Sequence, residues 1–331
     1  MSKKFLVTGA SGFVGQYLIE RLVAIYGPDV SIIALHRSKL DISEDFYGNN
    51  VRWIRSDITR DDLSEIFFGV ETVYHLAGFF SLGETKEDRK KLEDVNVIGA
   101  ERVAAESLKS GVRKFIYVSS ISVCELTESR ATSLFSRGGI NKYGQSKKRA
   151  EELILNLASE DFRVTILRPC ALFGERHFGS IFELVKLISL GRMVIFGSGI
   201  NIVNFYYIRD FIEVLIASEL NASEYRRVYN CADSSCNLER LCFYISTALN
   251  NEGKVRKIPK LLGFMSAIFI DFLSLVLNKS LPFSLRRYYA MTSGVVYSTE
   301  ALQRDLKVNV SYGIHDGIVR TIEWFKEEDL L

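Results

Sequence analysis

The sequence predicts an α/β protein in which a doubly wound parallel sheet is followed by a smaller, mainly helical C-terminal lobe. From residue 3 to about 170, short β-branched or aromatic runs alternate with amphipathic helical stretches, and a glycine-rich turn follows the first run. Beyond Pro169 the rhythm loosens and helices dominate. We therefore expect one domain over residues 1–170 and a second over 171–331, packed without a flexible linker and with some segments returning to the first.

Six runs are expected to form the strands of the sheet. In chain order they read KFLVTG, SIIALHR, VRWIRSD, TVYHLAG, KFIYVSS and RVTILRP. Alternation of such runs with helical stretches is typical of a parallel sheet covered by helices on both faces. In the first helical stretch, apolar residues three or four apart predict one apolar face made of Phe13, Val14, Leu18, Leu22 and Ile25.

The composition excludes some classes of function. The formal net charge is only +2, and the basic residues are scattered, so a nucleic-acid partner has no electrostatic footprint. The five cysteines lack the paired spacing of a zinc site, and the four histidines fall on separate elements, so no metal is expected. The N-terminus MSKKFLVTGA has too short an apolar run for a signal peptide, which favours a cytoplasmic protein.

The segment LLGFMSAIFIDFLSLVL, residues 261–277, is almost wholly apolar. It carries Asp271 and falls short of the ~20 residues needed to span a bilayer, so no transmembrane span is expected. The pattern favours a buried helix of the second lobe. A weak membrane-surface contact or the wall of a lipophilic substrate site are the alternatives.

The turn after the first predicted strand reads VTGASGFVG and places Gly9, Gly12 and Gly15 between a strand and a helix. Glycines are needed there because a side chain would block the turn, keep the backbone from a pyrophosphate or push the helix off the sheet. The free N–H groups and the positive dipole end of the helix then face phosphate. Strand, turn and helix together predict a Rossmann-type dinucleotide site.

The end of the second strand predicts which dinucleotide is preferred. An acid usually stands there to bind the ribose hydroxyls of NAD, whereas this chain has His36 and Arg37. A guanidinium suits a phosphate better than a diol, so NADP is favoured over NAD; a solvated arginine is the structural alternative. Asp57, after the third strand, is a candidate for the adenine amino group or for a helix cap.

Tyr143 and Lys147 stand four residues apart at the start of a predicted helix, in NKYGQSKKRAEE. A phenol with a pKa near ~10 is a poor acid-base catalyst at neutral pH, and a nearby ammonium lowers that pKa. Ser120, in YVSSISV, is expected at the carboxyl edge of the fifth strand, where its hydroxyl can hold a substrate oxygen. The three residues predict hydride transfer between cofactor and a carbinol or carbonyl carbon, with Tyr143 moving the proton.

The motifs TGASGFVG, HLAG, NVIGA, YVSS, YGQSK and LRPCALFG occur in an order and spacing that resemble the extended short-chain dehydrogenase/reductase family, also called the NAD-dependent epimerase/dehydratase family. The resemblance covers nearly the whole chain and implies an NAD(P)-dependent enzyme in which Ser120, Tyr143 and Lys147 are catalytic. It also implies that Asn96 braces the active-site strand region and that the protein is a homodimer. Ser119 and Ser122 are adjacent candidates, but the family's S-x-x-V spacing selects Ser120. The positions expected at the cofactor are Gly9, Ser11, Gly12, Phe13, Gly15, His36, Arg37, Asp57, Ile58, Leu76, Ala77, Gly78, Asn96, Tyr143, Lys147 and Pro169.

Departures from the family pattern concern the substrate. Ala171 and Val203 replace an asparagine and an arginine that grip the diphosphate in sugar-nucleotide epimerases. Phe79 and Phe80, beside the expected nicotinamide edge, and the apolar segment 261–277 resemble the 3β-hydroxysteroid dehydrogenase-like branch. Core packing is the structural alternative for all of them.

Three functions follow from the resemblance. The first is a nucleotide-sugar 4-ketoreductase or dehydrogenase, the second a 3β-hydroxysteroid dehydrogenase-like enzyme on a sterol or other lipophilic alcohol, and the third a nucleotide-sugar epimerase. A redox-sensing regulator is a non-enzymatic alternative. The serine, tyrosine and lysine set argues against it, because a binding module needs no proton donor.

Overall fold

The structure is a computed structural model that describes residues 3–37, 48, 50–81, 85–124, 141–221, 224–250, 255–277, 285–308 and 311–331. The strands among these residues are β1 Lys3–Thr8, β2 Val30–His36, β3 Val51–Arg55, β4 Thr72–His75, β5 Lys114–Val118, β6 Arg163–Pro169, β7 Ala171–Phe173, β8 Val194–Phe196, β9 Ile202–Tyr207, β10 Arg226–Cys231, β11 Asp233–Asn237 and β12 Arg256–Ile258.

The helices of the described residues alternate with these strands through the first half of the chain. They are α1 Phe13–Tyr26, α2 Lys86–Lys91, α3 Ala100–Lys109, α4 Lys142–Leu157, α5 Ser180–Ser189, α6 Ile208–Asn221, α7 Leu238–Ala248, α8 Lys260–Leu277, α9 Leu285–Thr292, α10 Glu300–Leu306 and α11 Gly313–Glu327. A π-helical segment, Leu92–Gly99, joins α2 to α3.

A seven-stranded parallel sheet in the order β10-β6-β5-β4-β1-β2-β3 forms the centre of the molecule. The six strands predicted from the sequence are confirmed, and so is the doubly wound α/β class. The seventh strand, β10, comes from beyond residue 171 and pairs with β6 at the edge. The proposed division at residue 170 stays a prediction.

Two apolar cores cover the two faces of the sheet. One includes side chains of α1 and α6, and the other includes side chains of α3 and α4. In α1 the predicted apolar face is wrong at its end, because Ile25 is exposed. Tyr17 and Ile19 are buried instead, since α1 packs against α6 as well as against the sheet.

The rest of the second half builds two small sheets and further helices. One sheet has the order β11-β9-β7, with β7 parallel and β11 antiparallel to β9; in the other, β8 and β12 are parallel. No helix among the described residues is both long and apolar enough to cross a bilayer. The expectation that residues 261–277 form a buried helix is wrong, because α8 buries Gly263 and Ala267 and exposes most of its large apolar side chains.

Candidate functional site

The parallel register brings the predicted site residues to one edge of the sheet. Thr8 lies opposite both Leu35 and His75, and His75 lies opposite Tyr117. The carboxyl ends of β1, β2, β4, β5 and β6 therefore lie side by side, and the segments that follow them start from the same edge. Ligands of open parallel sheets bind at this edge, where neighbouring crossovers leave in opposite directions.

The glycine turn between β1 and α1 has the tight geometry expected for a dinucleotide. Gly9 has a φ of 67°, and a Cβ on it would lie 2.8 Å from the backbone nitrogen of Ala77. A Cβ on Gly15 would lie 2.5 Å from the carbonyl oxygen of Gly9. Gly12 is the N-cap of α1 and has no side chain to cap the N–H groups of the first turn, which also contains no acid. These groups suit a phosphate.

Residues at the ends of β2 and β3 lie beside the expected ribose position. His36 is buried in edge contact with Trp53, whereas Arg37 is exposed. The Asp57 carboxylate accepts hydrogen bonds from the backbone and hydroxyl of Thr59. Burial acts to raise the pKa of Asp57, but these bonds and the charges of Arg60 and Arg37 lower it overall. Asp57 thus closes a turn, and the helix cap that was its structural alternative is not formed, because no helix begins among the described residues 58–81 that follow it.

The segment after β4 is held against the end of β1. The backbone of Ala77 donates to the Thr8 hydroxyl at 3.2 Å, and Thr8 also lies 2.7 Å from Nδ1 of His75. Gly78 is exposed, and a Cβ on it would lie 3.5 Å from Oδ1 of Asn96 and 3.7 Å from Nζ of Lys147. A side chain at position 78 would therefore touch both polar groups.

Asn96, on the π-helical segment, links the β4 edge to helix α4. Its Oδ1 accepts from the backbone of Phe79 at 2.7 Å, and its Nδ2 donates to the Phe79 carbonyl at 2.9 Å. Nδ2 also donates to the Ser146 hydroxyl at 3.0 Å, and that hydroxyl donates to the Tyr143 carbonyl at 2.7 Å. Asn96 is 1% exposed, so each bond is shielded from water.

Tyr143 lies at the first turn of α4 with its hydroxyl next to Ser120. Burial raises the pKa of Tyr143, and a hydrogen bond with the Ser120 side chain acts in the opposite direction. The Ser120 oxygen also accepts from the backbone of Ser122 at 3.2 Å. Phe80 meets the tyrosine ring edge-on, with ring centres 5.0 Å apart, and is itself 64% exposed. The structure thus brings the predicted serine and tyrosine into direct contact.

Lys147 lies one turn further along α4 and is 3% exposed. Its Nζ donates to the Val118 carbonyl at 2.8 Å and lies 4.3 Å from the centre of the Tyr117 ring. Burial lowers the pKa of Lys147 to about 7, with the Glu151 carboxylate acting in the opposite direction. The expected lowering of the Tyr143 pKa by this ammonium is not what the structure shows, because the pKa of Tyr143 is raised.

Sequence reasoning missed an ion pair beneath Lys147. Glu151 is buried, and its carboxylate accepts hydrogen bonds from Nε of Arg168 at 2.9 Å and from Nη2 of Arg168 at 2.5 Å. Glu151 lies one turn after Lys147, a spacing that places the two on one helical face and could have indicated that the carboxylate acts on the ammonium. The carboxylate therefore holds β6 to α4 and favours a charged Lys147.

A second missed cluster surrounds the start of α1. His177 stacks on Phe13 with ring centres 4.4 Å apart. Glu175 is buried and accepts bonds from Arg209 and from the hydroxyls of Tyr17 and Tyr207. Since these partners come from distant parts of the chain, no local pattern indicates them.

The remaining predicted positions stay close to the backbone of the site. The backbone carbonyl of Ser11 accepts a hydrogen bond from Gln16, Ile58 is buried beneath Gly99, and Pro169 ends β6.

A separate cavity of about 460 Å³, lined by residues that include Asp210, Asp233 and Tyr297, contains none of the three catalytic candidates. Within the described ranges, no three histidine, cysteine or acidic side chains form a metal site.

The fold and the edge just described define the class as a Rossmann-fold enzyme of the extended short-chain dehydrogenase/reductase type. The chain belongs to the NAD dependent epimerase/dehydratase family, whose family model matches residues 5–232. The resemblance recognised in the sequence motifs is thereby confirmed.

Comparison with curated proteins finds relatives with different substrates. The chain is 28% identical over 331 residues to N-acetyl-alpha-D-glucosaminyl-diphospho-ditrans,octacis-undecaprenol 4-epimerase of Escherichia coli O157:H7, covering 98% of this chain and 96% of the relative. It is 29% identical over 230 residues to human sterol-4-alpha-carboxylate 3-dehydrogenase, decarboxylating, covering 66% of this chain and 59% of the relative.

Among solved structures, UDP-glucuronic acid 4-epimerase from Bacillus cereus in complex with NAD shares the fold. It superposes with a TM-score of 0.74 at 19% identity and covers 98% of this chain and 99% of that one.

Proposed function

We propose that this protein is an NAD(P)-dependent 4-epimerase of a sugar held on a diphosphate. The observation that carries the proposal is the contact between Ser120 and the Tyr143 hydroxyl at the carboxyl edge of the sheet, with Lys147 one turn away. The 4-epimerase relative that aligns over 98% of the chain supports the choice of reaction. This replaces net reduction of a 4-keto sugar, the first of the three sequence hypotheses.

The glycine turn fits a dinucleotide, and Gly9, Gly12, Gly15 and the first turn of α1 would hold its pyrophosphate. When bound, the nicotinamide supplies reversible hydride transfer. Ser120 holds the sugar oxygen. Tyr143, ionised beside the Lys147 ammonium, takes the hydroxyl proton as the carbinol is oxidised and returns it as the ketone is reduced on its other face. One tyrosine serves both halves because the proton that it takes in the first half is the proton that it returns in the second.

Lys147 has two proposed roles. Its buried ammonium lies between the Val118 carbonyl and Gly78, next to the position where the nicotinamide ribose is expected. We assign it to binding that ribose and to supplying positive charge close to the proton-transfer site. Asn96, acting through Ser146 and the Tyr143 carbonyl, is a positioning residue.

The preference for NADP over NAD is a proposal that rests on Arg37. Its guanidinium is exposed directly after β2, where a 2′-phosphate would lie. The related B. cereus structure contains NAD, so this chain is proposed to differ from that protein in its preferred cofactor. A cytoplasmic location and a homodimer stay predictions from the sequence.

The carrier of the sugar is proposed to be a polyprenyl diphosphate. The E. coli relative is named for a sugar linked through a diphosphate to undecaprenol. Such a substrate contains both a sugar diphosphate and a lipophilic group, the two features that the sequence left as alternatives. Phe80, largely exposed beside Tyr143, provides an apolar rim at the site. A sterol alcohol is the second candidate, supported by the same rim and by the human relative.

The test measures inversion at C4. The protein with NAD or NADP is incubated with N-acetylglucosaminyl diphosphate on a short polyprenyl chain, with UDP-N-acetylglucosamine, and with a 3β-hydroxysterol, and products are identified by NMR. Tyr143→Phe should lower turnover by about 10²-fold or more and leave dinucleotide affinity unchanged. Tyr225→Phe, at an exposed tyrosine, is the control. Unchanged turnover in Tyr143→Phe, or sterol oxidation without inversion of either sugar, would overturn the proposal.

A further inference from the structure

Helix α8 presents an apolar face to solvent. Two of its phenylalanines, Phe269 and Phe272, are 62% and 63% exposed. The large apolar side chains that are exposed on the helix are Leu261, Leu262, Met265, Ile268, Phe269, Phe272 and Leu277. Such a density of exposed apolar side chains on one helix is unusual for a surface in contact only with water.

The helical period gathers these side chains on one side. At ~100° per residue, the six positions from Leu261 to Phe272 fall within an arc of roughly 120°. The buried Gly263 and Ala267 lie on the opposite side, where Gly263 packs against Phe196. Asp271 also lies outside the arc, and its carboxylate accepts the backbone N–H of Leu285 at 2.9 Å.

Few polar groups interrupt this apolar face. Among the described side chains of α8, Ser266 is the exposed polar residue closest to the arc, and its hydroxyl donates to the Leu262 carbonyl at 2.8 Å. Because that hydroxyl is satisfied within the helix, it can leave water at low cost. The six exposed side chains within the arc, those of Leu261, Leu262, Met265, Ile268, Phe269 and Phe272, will be called the α8 apolar face.

Three exposed basic residues lie close in sequence to the N-terminal end of α8. Arg256 and Lys257 belong to β12, and Lys260 is the first residue of α8, where its side-chain carbons lie next to Gly197. Lys257 forms an ion pair with Glu239, to which it donates a hydrogen bond at 2.5 Å. An apolar helical face beside exposed cations is the combination that binds anionic bilayer surfaces, with apolar side chains among the acyl chains and cations at the head groups.

We propose that the α8 apolar face docks on an anionic lipid bilayer, so that the enzyme takes a polyprenyl-linked sugar diphosphate directly from the membrane surface. The inference rests on the proposed function in its lipid-linked form. The occupant is a membrane rather than a second copy of the chain, because the proposed polyprenyl substrate is anchored in a bilayer and the exposed cations at the start of α8 complement anionic head groups.

Packing connects helix α8 to the carboxyl edge of the sheet. Phe264 of α8 contacts Tyr288 and Tyr289 of α9. The strip after α9 is held by Asn204, which donates to the Val295 carbonyl, and by Asn230, which donates to the Ser298 carbonyl.

Asn230 also accepts from the thiol of Cys124 at 3.7 Å, and Cys124 caps the turn that begins at Ser120. A series of contacts thus links helix α8 to the turn that contains Ser120.

The test is co-sedimentation of the full-length protein with vesicles of phosphatidylglycerol and phosphatidylethanolamine, and with neutral phosphatidylcholine vesicles. The protein should bind the anionic vesicles more tightly, and Phe269→Glu with Phe272→Glu should lower the partition coefficient by about ten-fold or more. Phe243→Glu is the matched control, because Phe243 is 65% exposed on another helix, α7. Failure of the native protein to bind, or equal effects of both substitutions, overturns the proposal.

Two further measurements separate the possible failures. Analytical ultracentrifugation without lipid should give the same mass for the native and the doubly substituted protein. If the substitutions instead dissociate a dimer and the native protein does not bind vesicles, the face mediates self-association and the docking proposal is overturned. Turnover of a short-chain, water-soluble polyprenyl substrate without vesicles should be equal in both proteins. Vesicle binding through the face with no turnover of any sugar diphosphate would sink the proposed function and leave the docking surface standing.

Discussion

Replacing Lys147 by Met tests whether burial suppresses the charge at the centre of the site. Burial lowers the pKa of Lys147 to about 7 in the folded protein, whereas an unfolded chain keeps the ordinary value of 10.5. Between these values the unfolded chain binds more protons than the folded protein. The free energy of unfolding should therefore rise with pH across this window, and Lys147→Met should lack that rise.

The expected magnitude follows from one proton. The limiting slope is about 1.4 kcal/mol per pH unit, and Lys147 is half protonated near pH 7, so its contribution between pH 7 and 9 is about 2 kcal/mol. Urea unfolding of both proteins across this range measures it. The diagnostic quantity is the difference in slope, because the lost hydrogen bond to Val118 also shifts the whole curve.

Lys142→Met is the matched control, because Lys142 is exposed on the same helix. That variant should keep the pH dependence of the native protein. Parallel curves for the native protein and Lys147→Met would show that the ammonium stays charged in the fold, and the reasoning from burial would be refuted.

Two further predictions concern positioning and cofactor choice. Asn96→Ala leaves the Phe79 backbone and the Ser146 hydroxyl without their partner, so the free energy of unfolding measured in urea should fall by about 3 kcal/mol and turnover should fall as well. Asn221→Ala, which removes one hydrogen bond, is the control. Equal losses of stability in the two variants would contradict the bridging role of Asn96. Arg37→Asp should shift the ratio of kcat/KM from NADPH toward NADH, and an unchanged ratio would refute the assignment of Arg37.

The strands and helix α4 could be predicted because their patterns are local. Six β-branched or aromatic runs and the glycine turn repeat over a few residues, which is the range over which backbone conformation is selected. The spacing from Tyr143 to Lys147 places both on one helical face, and the helix is present as expected. The edge strand β10 has no comparable pattern, since half of its side chains are only partly buried.

Burial and long-range pairing were less predictable, because they depend on elements far apart in the chain. The apolar content of residues 261–277 is the same for a buried helix and an exposed one, and only the packing of Gly263 and Ala267 shows which side faces the protein. Likewise, the pKa of Tyr143 rises because its surroundings are dry, a quantity that spacing along one helix does not contain.

The sequence by itself determined the fold class, the family, the cofactor turn and the identity of Ser120, Tyr143 and Lys147 as candidates, because each is written in short-range order. Tertiary structure alone decided the contact of Ser120 with Tyr143, the link from Asn96 to Ser146 and the exposed α8 apolar face. These features arise where segments distant in sequence meet, and the desolvation and hydrogen bonds formed there set the charge states and surfaces available for chemistry.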